Sequence, residues 1–180
     1  MLEGTSTVLR PVREADLAGL YARHVDIGHR GEFFPRSIMS EPAFRRAFHD
    51  TGFWGKDEGL LIITDRANEI IGHIEFYRTV AYLAEYELSY ILYSPEHRNR
   101  GTMTEAVDLM VRYLFETKPI NRIRLVIHPG NTASRRIAEK CRFRHEGTAR
   151  GAWYNNGRYQ DVEIYAILHD EVIEGPVRRA

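Results

Sequence analysis

Hydrophobic and polar positions recur with two different periods along this chain, and the change of period marks its elements. Thr7-Val8-Leu9-Arg10-Pro11-Val12 reads as a short strand. Leu17, Leu20 and Tyr21 then share one face of a helix predicted over Glu14 to Val25. Residues 28–58 are irregular, rich in Gly, Pro, Phe and mixed charge, with a second helix predicted within Glu41 to His49, where Phe44 and Phe48 stand four apart. Irregular segments of this kind are where binding pockets are commonly shaped. Gly59 to Asp65 is a nearly continuous apolar run, Ala67-Asn68 a turn, and Glu69 to Tyr77 the second arm of a hairpin. Ala84 to Tyr93 is a third strand. Its apolar face carries Tyr86, Leu88, Tyr90 and Leu92; the other starts with two carboxylates, Glu85 and Glu87, and continues through Ser89, Ile91 and Tyr93.

Beyond that strand the period lengthens. Met103, Ala106, Val107, Met110, Val111 and Leu114 recur at helical spacing and predict an amphipathic helix over Thr102 to Glu116. Arg122 to His128 is a strand closed by Pro129-Gly130, and Asn131 to Arg142 a helix burying Ile137, Ala138 and Cys141. Phe143 to Tyr154 and Arg158 to Leu168 form a last hairpin around Asn155-Asn156-Gly157, a strong turn signal. The sum is an α/β (α+β) fold: a mixed, largely antiparallel central sheet flanked by helices, in a single domain over residues 1–180.

Composition narrows the function classes. Lys+Arg and Asp+Glu are both 25, a formal net charge of zero, so the broad basic field expected of a nucleic-acid or membrane-surface binder is missing. The single cysteine, Cys141, excludes an internal disulfide and a multi-cysteine zinc site, and no metal is expected. Met1-Leu2-Glu3-Gly4-Thr5 lacks the basic and apolar run of a signal peptide, and no apolar stretch approaches the ~18 residues of a membrane span. The expected location is the cytoplasm, with neither nucleic acid nor membrane as partner.

Candidate chemistry concentrates in Ile91 to Ala106, a strand, a Ser94-Pro95 turn, a basic tight loop and a helix start. Consecutive backbone N–H groups at a helix N-terminus, a Gly101 that lets backbone approach a ligand, and the charges of Arg98 and Arg100 suit a phosphate or pyrophosphate. The candidate contacts are Arg98, Asn99, Arg100, Gly101, Thr102, Met103 and Thr104. The loop is neither a Walker loop nor a dinucleotide fingerprint, since it holds one glycine and no G-K-[ST]. Taken alone, it also fits a basic turn that caps a helix.

The order of the surrounding motifs is more specific. Leu9-Arg10-Pro11 with Glu14-Ala15-Asp16-Leu17, then Glu87-Leu88-Ser89-Tyr90 leading to Ser94-Pro95-Glu96-His97-Arg98-Asn99-Arg100-Gly101 and Thr104-Glu105-Ala106, then Asn131, Ser134, Lys140, Phe143 and Glu146-Gly147, then Gly157-Arg158-Tyr159 with Asp161 and Tyr165, run through almost the whole chain. In this series the sequence resembles the GNAT acetyltransferase superfamily, in the branch of the RimJ and RimL ribosomal-protein acetyltransferases and the spermidine acetyltransferases. Three positions depart from the pattern: Asn99 and Arg142 where glycines are frequent, and Met103 where Ala or Gly is usual. Arg142 implies a helix end that does without a positive φ, or that carries one at a cost of ~1 kcal/mol.

The resemblance implies an acyl-CoA-dependent N-acetyltransferase, with acetyl-CoA as co-substrate, its pyrophosphate on the Arg98–Thr104 loop and a primary amine as acceptor: a peptide N-terminus or a small amine such as an amino acid, amino sugar or antibiotic. A homodimer is compatible with it. So is an acyl-CoA sensor of the same fold without catalysis. A backbone N–H near Leu92 or Tyr93 would polarise the thioester carbonyl. Glu87 is the first candidate base, four to six residues before the acyl site, roughly 13–20 Å along an extended strand and so acting through water; His73 and Glu75 are alternatives. The tyrosine that many relatives carry seven residues after the helix Asn is Ala138 here, whereas the serine of the RimL-like branch matches Ser134, without the carboxylate that some members place at Trp153. Tyr159 and Tyr165 are other candidate acids, and Asn131 would bind the pantetheine arm. An α-amine with pKa ~7.7–8.0 is far more often neutral near pH 7.4 than a lysine at ~10.4, so a site without a strong base suits an α-amine. The mixed charge of residues 28–58 disfavours a polyamine.

Overall fold

The computed structural model describes residues 1–28 and 30–173. Eight strands are hydrogen-bonded in the order β1-β2-β3-β4-β5-β6-β8-β7: β1 (Leu2–Glu3), β2 (Val8–Pro11), β3 (Glu58–Thr64), β4 (Ile70–Tyr77), β5 (Glu85–Leu92), β6 (Arg122–Ile127), β7 (Arg144–Asn155) and β8 (Arg158–Leu168). β5 and β6 are parallel, whereas β1–β2, β2–β3, β6–β8 and β7–β8 are antiparallel. The helices are α1 (Leu17–Val25), α2 (Glu41–Thr51), α3 (Thr102–Thr117), α4 (Thr132–Lys140) and α5 (His169–Ile173). This is the mixed, largely antiparallel α/β sheet that the periodicity predicts. Two compact units are distinguished: Met1–Phe76 with Ser89–Ala106, and Tyr77–Leu88 with the chain from Val107 onward.

In the first unit the apolar residues of β2, β3 and α1 close over one another: Val12, Leu17, Leu20 and Ile62 form a buried cluster, against which Phe44 and Phe48 of α2, Phe53 and Tyr93 pack. The four-residue spacing of Phe44 and Phe48 puts both on the core side of α2. The helix expected from Glu14 is instead a 3-10 turn over Glu14–Asp16 followed by α1. The Asp16 carboxylate accounts for the break. It accepts from Arg13 N–H at 2.7 Å and from both terminal nitrogens of Arg10 at 2.8 and 3.0 Å, tying the helix entry back to β2. Arg10 is 3% exposed and also donates to Asn68 Oδ1 in the β3–β4 turn. Its hydrogen bonds hold the Asp16 carboxyl below the usual carboxylate range.

A second carboxylate fastens the N-terminal segment to the start of α3. Glu105 Oε2 accepts from the Thr7 N–H and hydroxyl at 3.0 and 2.7 Å and from the Ser6 hydroxyl at 2.7 Å; Oε1 accepts from Thr5 N–H. Partial burial opposes the anion, but the hydrogen bonds from Ser6 and Thr7 outweigh it and bring the carboxyl down to about 2.

In the second unit Ile123, Leu125 and Ile127 of β6 point into the core with Val107, Met110, Val111 and Leu114 of α3 and Ile167 of β8. The hairpin of β7 and β8 closes as expected: Asn155 pairs with Arg158, and the two residues between, Asn156 and Gly157, both have positive φ (53° and 76°), the primed turn that matches strand twist. α4 ends in a Schellman motif. Arg142 N–H donates to Glu139 O at 3.0 Å and Phe143 N–H to Ala138 O at 2.9 Å, with Phe143 and Ala138 buried. Arg142 therefore carries the left-handed φ of 65° that its family position suggests, without a glycine.

Two measurements test these points. The left-handed conformation costs an L-residue ~1–2 kcal/mol, and a glycine gives back part of that in unfolded-chain entropy, so Arg142→Gly is expected to stabilise the protein by roughly 0.5–1 kcal/mol in urea denaturation. Because the folded Glu105 pKa lies below its ordinary value of 4.5, the Glu105 contribution is complete above that pH and is lost as pH falls toward about 2. Glu105→Gln should lower the urea midpoint at neutral pH and flatten its fall between pH 4.5 and 2.5.

Candidate active site

β5 leads into the loop predicted to hold phosphate. Ser94 caps a single 3-10 turn over Pro95–His97, its hydroxyl accepting from Glu96 N–H. Two left-handed residues follow, Asn99 at φ 61° and Gly101 at φ 83°, and α3 starts at once. Asn99 fits because asparagine, after glycine, is the residue that most readily adopts this conformation. Glu105 N–H donates to Gly101 O at 2.9 Å, so α3 begins directly after the loop, and the N-terminus of a helix is the usual make-up of an anion site. Arg98, Asn99, Arg100 and Gly101 are exposed, and a Cβ at Gly101 would meet nothing within 4 Å. Met103, 5% exposed, turns its side chain into the core and leaves only its backbone to the loop, as does Thr102 at 7%. These residues fit a diphosphate: open backbone, two guanidinium groups and the positive end of a helix.

At the end of β5 the backbone sorts the two candidate donors. Tyr93 N–H donates to Ile71 O at 2.9 Å and is therefore engaged. N–H groups alternate sides along an extended chain, so the N–H of Leu92 faces the edge away from β4. Gly72 permits the contact that sets this register, since a Cβ there would collide with the carbonyl oxygen of Ile91. The Tyr93 side chain meets a partner that periodicity did not reveal: its hydroxyl lies 2.7 Å from His73 Nδ1. His73 keeps some accessible surface, yet burial of its ring, with the nearby charges of Arg30 and His24, pushes it down to about 4. His73 therefore stays neutral, and its Nδ1 is engaged by the Tyr93 hydroxyl. Burial also raises the Tyr93 hydroxyl well above its ordinary value. Among the aromatic side chains of residues 28–58, Phe53 packs on Phe44 and Phe48, and Trp54 on Phe76, as core; Phe34 sets its edge against His73.

In the second unit the two carboxylates of β5 are not on a solvated face. The parallel register sets Glu85 opposite Arg122 and Glu87 opposite Arg124. The result is an alternating row: Glu146 meets Arg122, Arg122 Nε lies 2.7 Å from Glu85, Arg124 Nη1 lies 3.2 Å from Glu85, and Arg124 Nε lies 3.0 Å from Glu87 Oε2. Tyr77 donates to Glu87 Oε1 at 2.8 Å. Glu85 is 5% exposed. Two further arginines are committed in the same way: Arg135 pairs with Glu163 and Arg144 with Glu171.

Asn131 caps α4, its Oδ1 accepting from Ser134 N–H at 3.1 Å, which leaves the amide NH2 as its donor toward a ligand. Ser134 is half-buried on the first turn. Trp153 sets its ring against His128, 5.9 Å between centroids. Tyr159 is 75% exposed and stacks on Tyr154 at 5.1 Å, while Tyr165 is buried with its hydroxyl 3.2 Å from Glu163. Among the described residues no cluster of His, Cys, Asp and Glu could hold a metal ion, and no helix is long and apolar enough to cross a membrane.

Known proteins agree with this arrangement. A model of the acetyltransferase (GNAT) domain matches residues 7–144. The probable N-acetyltransferase YjcK of Bacillus subtilis (strain 168) is 31% identical over 110 residues, 61% of this chain and 61% of that protein, so the alignment spans less than two thirds of that relative. The putative ribosomal N-acetyltransferase YdaF of the same organism is 29% identical over 130 residues, 72% of this chain and 67% of that protein. The crystal structure of spermidine N-acetyltransferase from Vibrio cholerae, in complex with CoA and spermine, superposes with a TM-score of 0.81 at 20% identity, covering 94% of this chain and 99% of that one, a likeness of fold. With the family model matched over residues 7–144, the chain belongs to the GNAT family of acetyltransferases.

Proposed function

We propose that the chain is an N-acetyltransferase that moves acetyl from acetyl-CoA directly to a primary amine, on one catalytic domain and in the cytoplasm. The observation that carries this reading is the loop at Asn99 and Gly101, where two left-handed residues flanked by Arg98 and Arg100 open directly onto the start of α3. Acetyl-CoA supplies the activated acetyl thioester. The loop backbone and the two guanidinium groups bind the diphosphate, charge-assisted contacts that fix the reactive end by fixing the far end. Leu92 N–H donates to the thioester carbonyl, where such a donor contributes ~3–4 kcal/mol to catalysis. The amide NH2 of Asn131 binds the pantetheine arm while its oxygen remains on Ser134 N–H.

Glu87 takes the proton of the amine through water, and the Ser134 hydroxyl gives one to the departing thiolate. Tyr77 and Arg124 hold the Glu87 carboxylate in place from either side. The complex of the Vibrio cholerae enzyme with CoA and spermine, and the name of the Bacillus subtilis putative ribosomal N-acetyltransferase, support an amine acceptor. Among amines, peptide N-termini and small α-amines are the easiest to present neutral.

Thiol release from acetyl-CoA across a panel of amines tests the reaction; tight CoA binding with no turnover on any amine would defeat it. Replacing Arg98 and Arg100 together by Ala should weaken CoA binding about tenfold or more in calorimetry, and more so at low salt. Glu87→Gln is expected to lower kcat by ~100-fold or more and to remove the acidic limb of its pH profile, with the KM for acetyl-CoA little changed. An unchanged pH profile would remove Glu87 from the base role.

A further inference from the structure

One row of side chains in the first unit has no part in the reaction as described. Arg30 is 9% exposed, and among the described residues its guanidinium donates to backbone carbonyls: to Pro35 O and Ser37 O at 2.8 Å each, and to His24 O. Burial draws its pKa down, and no carboxylate acts in the opposite direction. A buried cation without a counter-ion is costly, and natural proteins rarely keep one unless a ligand or a partner compensates the charge. From Arg30 the row continues through aromatic contacts. The guanidinium lies 5.9 Å from the centre of the Phe34 ring, Phe34 sets its edge to His73 at 6.1 Å, and His73 meets Tyr93 at 5.6 Å. Arg23 of α1 ends the row, its guanidinium 4.9 Å from the centre of the Tyr93 ring. Arg23 is exposed and donates to Gly19 O at 3.3 Å, an intrahelical carbonyl that leaves donors of the fork available.

Tyr93 directly follows Leu92, the donor assigned above to the thioester carbonyl. The charge around this row is therefore the charge an acceptor would meet. Glu75 is the carboxylate whose field reaches Tyr93. Against it stand two guanidinium groups, and neither His24 nor His73 adds charge, since burial draws both below their ordinary value.

We propose that the row from Arg30 to Arg23 is an acceptor subsite for an anionic group, so that the amine acetylated by this protein also carries a carboxylate. Arg23 binds that carboxylate directly, its planar fork matching the two oxygens, and the unneutralised charge of Arg30 favours it through the field. Tyr93 fixes the plane of the Arg23 fork by stacking, and His73 fixes Tyr93 through the hydroxyl. A polyamine, positive along its length, is disfavoured by the same two charges. The proposal rests on the N-acetyltransferase reading and adds the class of the acceptor.

The test compares matched pairs: an amino acid and the amine left when its carboxyl group is removed, each kcat/KM being referred to the neutral fraction of the amino group. The carboxylated member of a pair is expected to have at least a tenfold higher kcat/KM. Arg23→Gln should erase that preference by lowering the carboxylated member about tenfold while leaving the other within twofold and the KM for acetyl-CoA unchanged. Equal or better use of the decarboxylated amines by the wild type, or an equal loss for both members in Arg23→Gln, overturns the subsite. Calorimetry with the N-acetylated amino acid against the N-acetylated amine, CoA present, reads the same subsite without turnover. Preferential binding of the carboxylated product analogue with no turnover on any amine would defeat the acetyltransferase reading and keep the subsite. Equal binding of the two defeats the subsite whatever the turnover.

Discussion

The close approach of two backbones at Gly72 is the constraint on which the acyl end of the first unit depends. With no Cβ there, the carbonyl of Ile91 comes against the α-carbon of β4, and Tyr93 N–H reaches Ile71 O. That one bond fixes the phase of the strand end. It spends the N–H of Tyr93, turns that of Leu92 to the other edge, and directs the Tyr93 side chain to His73 and Arg23. The loop that follows starts from a strand end held in place, and so the left-handed pair Asn99 and Gly101 lies at a defined step before α3. The far side of the loop is held by Glu105, whose carboxylate is bound to Ser6 and Thr7. The loop between β5 and α3 is thus anchored at both ends.

Charge in this protein is arranged mostly as closed pairs. Arg10 with Asp16, and Glu85 with Arg122 and Arg124, are buried ion pairs whose hydrogen-bonding groups are largely matched. Such pairs add little net stability relative to apolar side chains of similar size, but leaving one partner behind costs ~3–5 kcal/mol, so they strongly oppose any register that separates them. In the β5–β6 pair this has a direct consequence: a shift of one residue would put Glu85 and Glu87 on the face opposite Arg122 and Arg124. The row therefore specifies the parallel register and, in doing so, places Glu87 between Tyr77 and Arg124. Among the described residues Arg30 departs from this pattern, a buried guanidinium whose hydrogen bonds go to backbone carbonyl oxygens.

Several features could be read from the sequence because they are local. The helical repeat from Met103 to Leu114 is buried where the period placed it, Asn156-Gly157 makes the hairpin turn, and Phe44 with Phe48 faces the core. The phosphate loop was visible for the same reason, since its glycine, its arginines and the helix after it are contiguous. Glu85 and Glu87 share one face of β5 as the strand period predicts, but that period says which residues share a side, not that Arg122 and Arg124 lie opposite. The start of α1 was placed too early because Asp16 is drawn back to Arg10, a residue of another element.

Sequence alone thus determined the element types, the mixed sheet with its helices, the tight basic loop before α3 and the family to which these belong, because each is written in spacings of a few residues. Tertiary structure decided what depends on pairs distant along the chain. It decided that Leu92 rather than Tyr93 has its N–H directed away from β4, that Arg142 takes a left-handed φ to close α4, and that Asn131 caps with its oxygen. It also brought His73, twenty residues before Tyr93, to that hydroxyl, and set Arg30 and Arg23 at the two ends of one aromatic row. The physical reason is the same in each case: a hydrogen bond or a stacked charge is fixed by geometry to within a fraction of an ångström, and the pattern of polar and apolar residues carries no information at that scale about partners from other elements.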